Sequence, residues 1–175
     1  MTYAINFTLL FMLFIFSGCG KDEKSCYTPP LNQAHWENRM GKYADNLIKI
    51  RINKSLKKIA GKSCYNFQIA AGVQIKNPKE NGMPREQERE ILEKVEDVLV
   101  QQLTASGTAV YAARIFIDKR CDYIFYGKKK KIIIKAVQAI GDTIENYPVE
   151  ITVKPDKKWV TYNWFATFGI HNPYD

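Results

Sequence analysis

The sequence predicts an α+β chain built as a ferredoxin-like βαββαβ sandwich, with an additional N-terminal strand and an aromatic C-terminal segment. Three observations predict it. Several stretches place apolar residues at every second position, the pattern of strands with one buried face. Two others repeat them at helical spacing. From Tyr65 onward the order of these stretches is strand, helix, strand, strand, helix, strand. Such a sheet carries its helices on one face and leaves the other available.

The elements follow in order. Ile48, Ile50 and Ile52 alternate with Lys49, Arg51 and Asn53, which makes the additional strand. Between Tyr65 and Ile75 the odd positions are Tyr65, Phe67, Ile69, Ala71, Val73 and Ile75, while Asn66, Gln68 and Gln74 point the other way. Asn77-Pro78 and Asn81-Gly82 are turn signals. Pro84 suits a first helical position, and Glu86, Glu88 and Glu90 complement the positive end of a helix dipole. Ile91, Leu92, Val95, Val98, Leu99 and Leu103 form the apolar stripe of that helix, and Ser106-Gly107 is its stop. Val110 to Asp118 and Asp122 to Tyr126 read as a hairpin turning at Lys119-Arg120-Cys121. The second helix is marked by Ile133, Val137, Ile140 and Ile144. Val149, Ile151 and Val153 form the last strand before the aromatic tail Trp159 to Phe168.

Ahead of the domain, an apolar run from Phe7 to Phe16 leads into Ser17-Gly18-Cys19. It is too short to cross a bilayer core of roughly 30 Å, but it fits a secretory h-region of about 7–15 residues. The small Ser17 and Gly18 admit a peptidase, and Cys19 resembles the residue that lipoproteins acylate. Residues 1–18 therefore read as a signal peptide, 19–34 as a lipidated flexible tether and 35–175 as the domain. The expected location is the cell envelope, lipid-anchored and facing the periplasm, with Gly20 rather than Asp favouring the outer membrane. The chain of 175 residues carries 26 Lys and Arg against 18 Asp and Glu, and the signal contains none of them. The mature domain is thus basic, and large enough to bury a core without a metal or disulfide.

Catalytic patterns are missing from the sequence. Neither Ser63 nor Ser106 sits in a Gly-x-Ser-x-Gly elbow, and no Gly-rich phosphate loop or Cys-x-x-Cys pair occurs. His35 and His171 stand near opposite ends of the mature chain without a carboxylate at ligand spacing, so no metal and no cofactor is expected. With Cys19 acylated, Cys26, Cys64 and Cys121 remain in a compartment that permits disulfides. One bridge and one free thiol result. Cys64 with Cys121 is the preferred pair, because both lie at strand ends, although Cys26 can reach either.

If Lys119-Arg120-Cys121 forms the hairpin loop, Arg114 lies opposite Tyr126 and Phe116 opposite Ile124, all on the open face. Arg114, Tyr126, Asp156, Trp159 and Tyr162 are then the candidate binding residues, an acidic-group contact beside aromatic anchors. The competing arrangement folds the aromatic segment over this face and pairs Arg114 internally with Asp156, since such a patch left exposed is an aggregation liability. Lys128, Lys129, Lys130 and Lys131 make a basic run at the start of the second helix. It is either simply solvated or drawn to anionic lipid headgroups or an acidic protein. Nucleic acid is disfavoured, because no aromatic platforms interleave with the run.

The stretch from Lys76-Asn77-Pro78 to Gly82-Met83-Pro84, Arg114, the hairpin Asp118 to Tyr126, and Asp156-Lys157-Lys158-Trp159 with Tyr162 resemble the bacterial domain of unknown function 695 family. Weaker similarity reaches upstream to about Trp36. The resemblance implies a ferredoxin-like domain similar to that of a ribonuclease E inhibitor family, with no established activity. That inhibitor's target is cytoplasmic, whereas this chain carries an export signal. The expected function is a membrane-anchored envelope lipoprotein that binds a protein partner, an immunity or inhibitor lipoprotein being one such role. An envelope enzyme with an unrecognised site on the open sheet face is the alternative, and a structural envelope component is a third.

Overall fold

The computed structural model describes residues 30–168, apart from Ser63 and Asp142. The expected signal peptide, most of the expected tether, Cys19 and Cys26 lie outside the described residues. A 3-10 turn, Leu31–Gln33, leads into a hairpin of β1 (Trp36–Tyr43) and β2 (Asn46–Asn53). The additional N-terminal strand is therefore one arm of a pair. β1 carries polar groups on both sides, so it has no alternation to betray it, as suits a strand at a sheet edge.

There follow β3 (Phe67–Gln74), α1 (Glu86–Thr104), β4 (Ala109–Ile117), β5 (Arg120–Gly127) and α2 (Lys130–Ile140). A short ribbon of β6 (Thr143–Ile144) and β7 (Tyr147–Pro148) precedes β8 (Glu150–Pro155) and α3 (Val160–Thr167). Ile144, expected on the second helix, lies instead in the ribbon, because Gly141 ends α2 with φ of 77°. The six long strands form one antiparallel sheet in the order β1-β2-β4-β5-β3-β8. The succession expected after Tyr65 is present as β3, α1, β4, β5, α2 and β8.

Both faces of the sheet are covered. On one, Leu92, Val95, Leu99 and Leu103 of α1 and Ile133 of α2 pack on Ile69, Ala71 and Val73 of β3 and on Tyr123 and Phe125 of β5. Gly127 gives α2 room there, since a Cβ at that position would come within 2.7 Å of Ile133 Cγ1. Glu88 ties the same layer together by accepting the Lys76 and Asn77 backbone N–H groups at 2.5 and 3.0 Å and the Tyr147 hydroxyl at 2.8 Å. On the other face Ile48, Ile50, Ile52, Ile115, Ile124 and Tyr126 are buried under Leu56, Tyr65, Trp159 and Tyr162. The C-terminal segment thus folds over this face, as in the competing arrangement, although Arg114 pairs with Glu96 rather than Asp156. β4 is apolar at consecutive positions from Ala109 to Ala113, as a strand covered on both sides must be.

Two backbone details set which side chain faces which layer. Asp118 and Lys119 have φ of 45° and 61° and make a two-residue turn with Ile117 opposite Arg120, a type I′ hairpin rather than the three-residue loop expected. The ladder also shifts between Tyr111 and Ala113, a bulge that absorbs one extra residue. Arg114 consequently stands opposite Tyr123 and Phe116 opposite Cys121, with both on the α1 side.

Tyrosines lie between these layers, and burial pushes the pKa of Tyr147 and Tyr162 each up to about 12, with Tyr123 and Tyr126 raised further. A phenol in the unfolded chain ionises near about 10. The stability these groups contribute is therefore complete below that pH and is lost as pH rises through the folded values. Alkaline titration should show the tyrosinate absorbance of Tyr123, Tyr126, Tyr147 and Tyr162 rising together with unfolding in one shared transition. Free titration of these four tyrosines within a folded protein would contradict this packing.

Candidate functional site

The aromatic candidates form the seat of α3. Asp156 accepts the backbone N–H of Val160 at 2.9 Å and of Thr161 at 3.3 Å, which caps the helix, and also accepts the Tyr126 hydroxyl at 2.8 Å. Trp159 takes a left-handed backbone (φ 55°, ψ 41°) and lays its ring on Tyr126 at 3.8 Å between centroids and 9° between planes. Its indole N–H donates to the Tyr65 carbonyl at 2.7 Å. Tyr162 meets Trp159 edge-on at 5.5 Å and donates its hydroxyl to the Asn53 carbonyl at 2.9 Å. Tyr126, Trp159 and Tyr162 are fully buried, so they anchor the chain's own helix and present nothing to a partner. The face on which an enzyme site was the alternative is closed by the same residues.

Arg114 lies on the opposite side of the sheet from Asp156. Its Nη1 donates to Glu96 Oε2 at 2.6 Å and approaches Glu93 at 3.9 Å. The other Glu96 oxygen accepts Arg51 Nη1 at 3.3 Å, and the Arg51 guanidinium lies 4.6 Å over the Trp36 ring. One buried carboxylate on α1 is thus shared by two guanidiniums, from β2 and β4. The Tyr111 hydroxyl and Arg114 Nε are buried with no hydrogen-bond partner among the described residues. Burial, reinforced by the Glu96 charge, holds the Tyr111 phenol well above its ordinary pKa. With both Glu96 oxygens engaged, this centre is built to hold α1 on the sheet.

The expected Cys64–Cys121 bridge is not made. Cys121 is a free, buried thiol on β5, pushed far above its ordinary pKa by burial, whereas Cys64 is disulfide-bonded. Their positions explain the correction. Cys121 pairs with Val73 near the end of β3, while Cys64 precedes the start of that strand. The partner of Cys64 therefore lies outside the described residues. In the basic run, Lys128 sets Nζ 4.9 Å over the Tyr65 ring, and Lys130 and Lys131 are exposed in the first turn of α2. Among the described residues no group of His, Cys, Asp and Glu is placed to hold a metal ion. No helix among them is long and apolar enough to cross a membrane.

Leu31, Ile132, Ile134 and Val160 are exposed singly or in pairs, whereas three exposed apolar side chains lie on and beside β1. Met40 is 57% exposed, Tyr43 54% and Trp164 41%. Tyr43 meets Trp164 edge-on at 5.4 Å, and Phe168 leans on Trp164 at 5.0 Å. Arg39 locks this corner by donating Nη1 to the Phe168 carbonyl at 2.8 Å and Nε to Glu37 at 2.6 Å. By alternation Met40 shares the α1 side of β1 with Trp36, which packs on Tyr111, while Tyr43 shares the α3 side with Gly41, which packs on Phe168. An edge strand is therefore flanked on both sides by exposed Met, Tyr and Trp, residue types enriched where proteins meet. Sequence reasoning missed this surface because β1 has no periodicity and Trp164 looked like one more member of the aromatic tail.

A family model matches residues 34–166, that of a family of unknown function, DUF695. No curated protein and no solved structure matches the chain.

The two tryptophans of the C-terminal segment should separate in denaturant unfolding. Trp159→Ala should cost about 3–5 kcal/mol, as for truncation of a buried indole, and Trp164→Ala about 1 kcal/mol or less. Equal losses would contradict the division between seat and surface. Cys121 should resist thiol reagents in the native state and react on unfolding; rapid native labelling would place it outside the core.

Proposed function

The chain belongs to DUF695, a family of unknown function, and on that footing we propose that it is a membrane-anchored lipoprotein of the cell envelope whose domain works by binding a protein partner. The observation that carries the reading is the β1 edge with exposed Met40, Tyr43 and Trp164 beside it. A partner that adds a strand to β1 gains main-chain hydrogen bonds, and the three side chains supply apolar contact on both sides of the new strand. Left bare, the same edge invites self-association.

Within the sheet, the order β4-β5-β3-β8 with α1 and α2 between strands supports a ferredoxin-like reading, the β1–β2 hairpin and α3 being additions to it. That reading also supports likeness to the ribonuclease E inhibitor family, whose members are inhibitors of a protein. An immunity or inhibitor lipoprotein needs no catalytic residues for the same task. Anchoring rests on Cys19 after the apolar run Phe7 to Phe16, and the outer membrane is favoured by Gly20.

Two experiments test the proposal. A Tyr43→Ala, Trp164→Ala double variant should lose the partner recovered with the wild-type protein from its native envelope, since hot-spot truncations cost about 2 kcal/mol or more each. Its unfolding midpoint should stay close to that of the wild type. Undiminished recovery would remove β1 as the binding edge. Cys19→Ser should release the protein from membranes, because acyl chains contribute about 0.8 kcal/mol per buried CH₂. A variant that stays membrane-bound and uncleaved would end the lipoprotein reading.

A further inference from the structure

We infer that one end of the domain is a docking surface for an anionic lipid bilayer. The inference deepens the proposed envelope role and takes its biological setting from that reading, but the surface itself is a property of the fold. Three segments distant in sequence meet there. The turn after β2 carries Lys57, Lys58 and Lys62, and within it a Cβ on Gly61 would sit 3.2 Å from the Lys158 carbonyl oxygen. The turn before α3 carries Lys157 and Lys158, and its Asp156 N–H donates to the Asn66 carbonyl at 2.9 Å. The start of α2 brings Lys130 and Lys131, next to the Lys128 ammonium that covers the Tyr65 ring. Tyr65 joins all three segments, because its carbonyl also holds the Trp159 indole.

The lysines named on these turns and in α2 are exposed, Lys128 alone being half-buried, and none of them is in an ion pair among the described residues. Among the described residues of the three segments the carboxylate is Asp156, whose oxygens are taken by Tyr126 and the first N–H groups of α3. The result is a field of one sign, self-repelling unless an anionic surface balances it. At the opposite end Glu86, Asp118, Glu145 and Glu150 are interspersed with Lys and Arg, and no such field forms.

The chain also enters the domain at the lysine end. The His35 N–H donates to Ser55 Oγ and the Lys54 N–H to the His35 carbonyl, both at 2.8 Å, and disulfide-bonded Cys64 lies in the same region. A tether running from a membrane to residue 35 delivers this end first. The tip of the β1–β2 hairpin, with Tyr43, then points away from the bilayer. A lipid surface fits better than a nucleic acid strand, because the aromatic rings within the lysine-bearing segments, Tyr65 and Trp159, are buried and offer no stacking platform there.

Vesicle co-sedimentation of the full chain carrying Cys19→Ser tests this, using phosphatidylcholine alone and phosphatidylcholine mixed with phosphatidylglycerol. The apolar N-terminal run is common to every variant and reports through the neutral vesicles. The phosphatidylglycerol-dependent increment is the readout. It should be large in the parent, fall with added salt, and drop roughly fivefold for each lysine removed. The variant Lys57→Gln, Lys58→Gln, Lys157→Gln, Lys158→Gln should therefore lose nearly all of the increment with an unchanged unfolding midpoint. The control Lys42→Gln, Lys79→Gln, Lys94→Gln, Lys119→Gln should keep most of it. No increment in the parent, or equal losses in the two variants, would overturn the inference. Tighter binding to a single-stranded oligonucleotide than to anionic vesicles at the same salt would overturn it in favour of nucleic acid. These outcomes are independent of partner recovery and of Cys19 fractionation, so failure here is distinguishable from failure of the envelope reading.

Discussion

The stack of Trp159 on Tyr126, with the indole N–H held by the Tyr65 carbonyl, decides where the chain goes after β8. Trp159 adopts a left-handed backbone to reach that position, at a cost of about 1–2 kcal/mol. Burying an indole removes about 150–250 Å² from water, worth roughly 4–6 kcal/mol at 25 cal/mol per Å². Burial wins. The distortion turns α3 back across the sheet, where Tyr162 reaches the end of β2 and Phe168 reaches β1. Without it the isoleucines of β2 and β4 would face solvent.

The opposite face is held by a different kind of interaction. Glu96 lies under two guanidiniums, so α1 is positioned by a charge-assisted contact as well as by its leucines and valine. Removing either arginine alone would leave a buried carboxylate underpaired, which is the costly way to break such a centre. The sheet is thereby clamped from one side by charge and from the other by aromatic stacking.

Much of this was legible in the sequence, for physical reasons that also mark where legibility stops. The α1 stripe and the alternation of β2 and β3 are local patterns, and Leu92, Val95, Leu99, Ile69 and Val73 are buried as expected. Arg114 was misplaced because its face depends on a backbone event without a side-chain periodicity. It is a type I′ turn at Asp118-Lys119, lacking the usual glycine, which sets Arg114 opposite Tyr123; the bulge before Ala113 then puts Tyr111 on the same side. The binding candidates failed for a related reason. A Trp or Tyr suits a core and an interface equally well, and only the chain's return across the sheet distinguishes buried Trp159 from exposed Trp164. Asp156 read as a partner for Arg114, but the helix cap and the Tyr126 hydroxyl claim it first.

The strand order carries a consequence for the way the protein comes into being. β3 lies between β5 and β8, and the layer over β2 and β4 is completed by Trp159 and Tyr162. A chain threaded N-terminus first from a ribosome or through a secretion pore thus holds an unfinished sheet, with one apolar face bare, until residues beyond Glu150 have emerged. The hairpin of β1 and β2 can form early, whereas the sandwich closes only on near-complete release. Late closure keeps the polypeptide loose until nearly all of it has emerged, and leaves the locking step to its last residues.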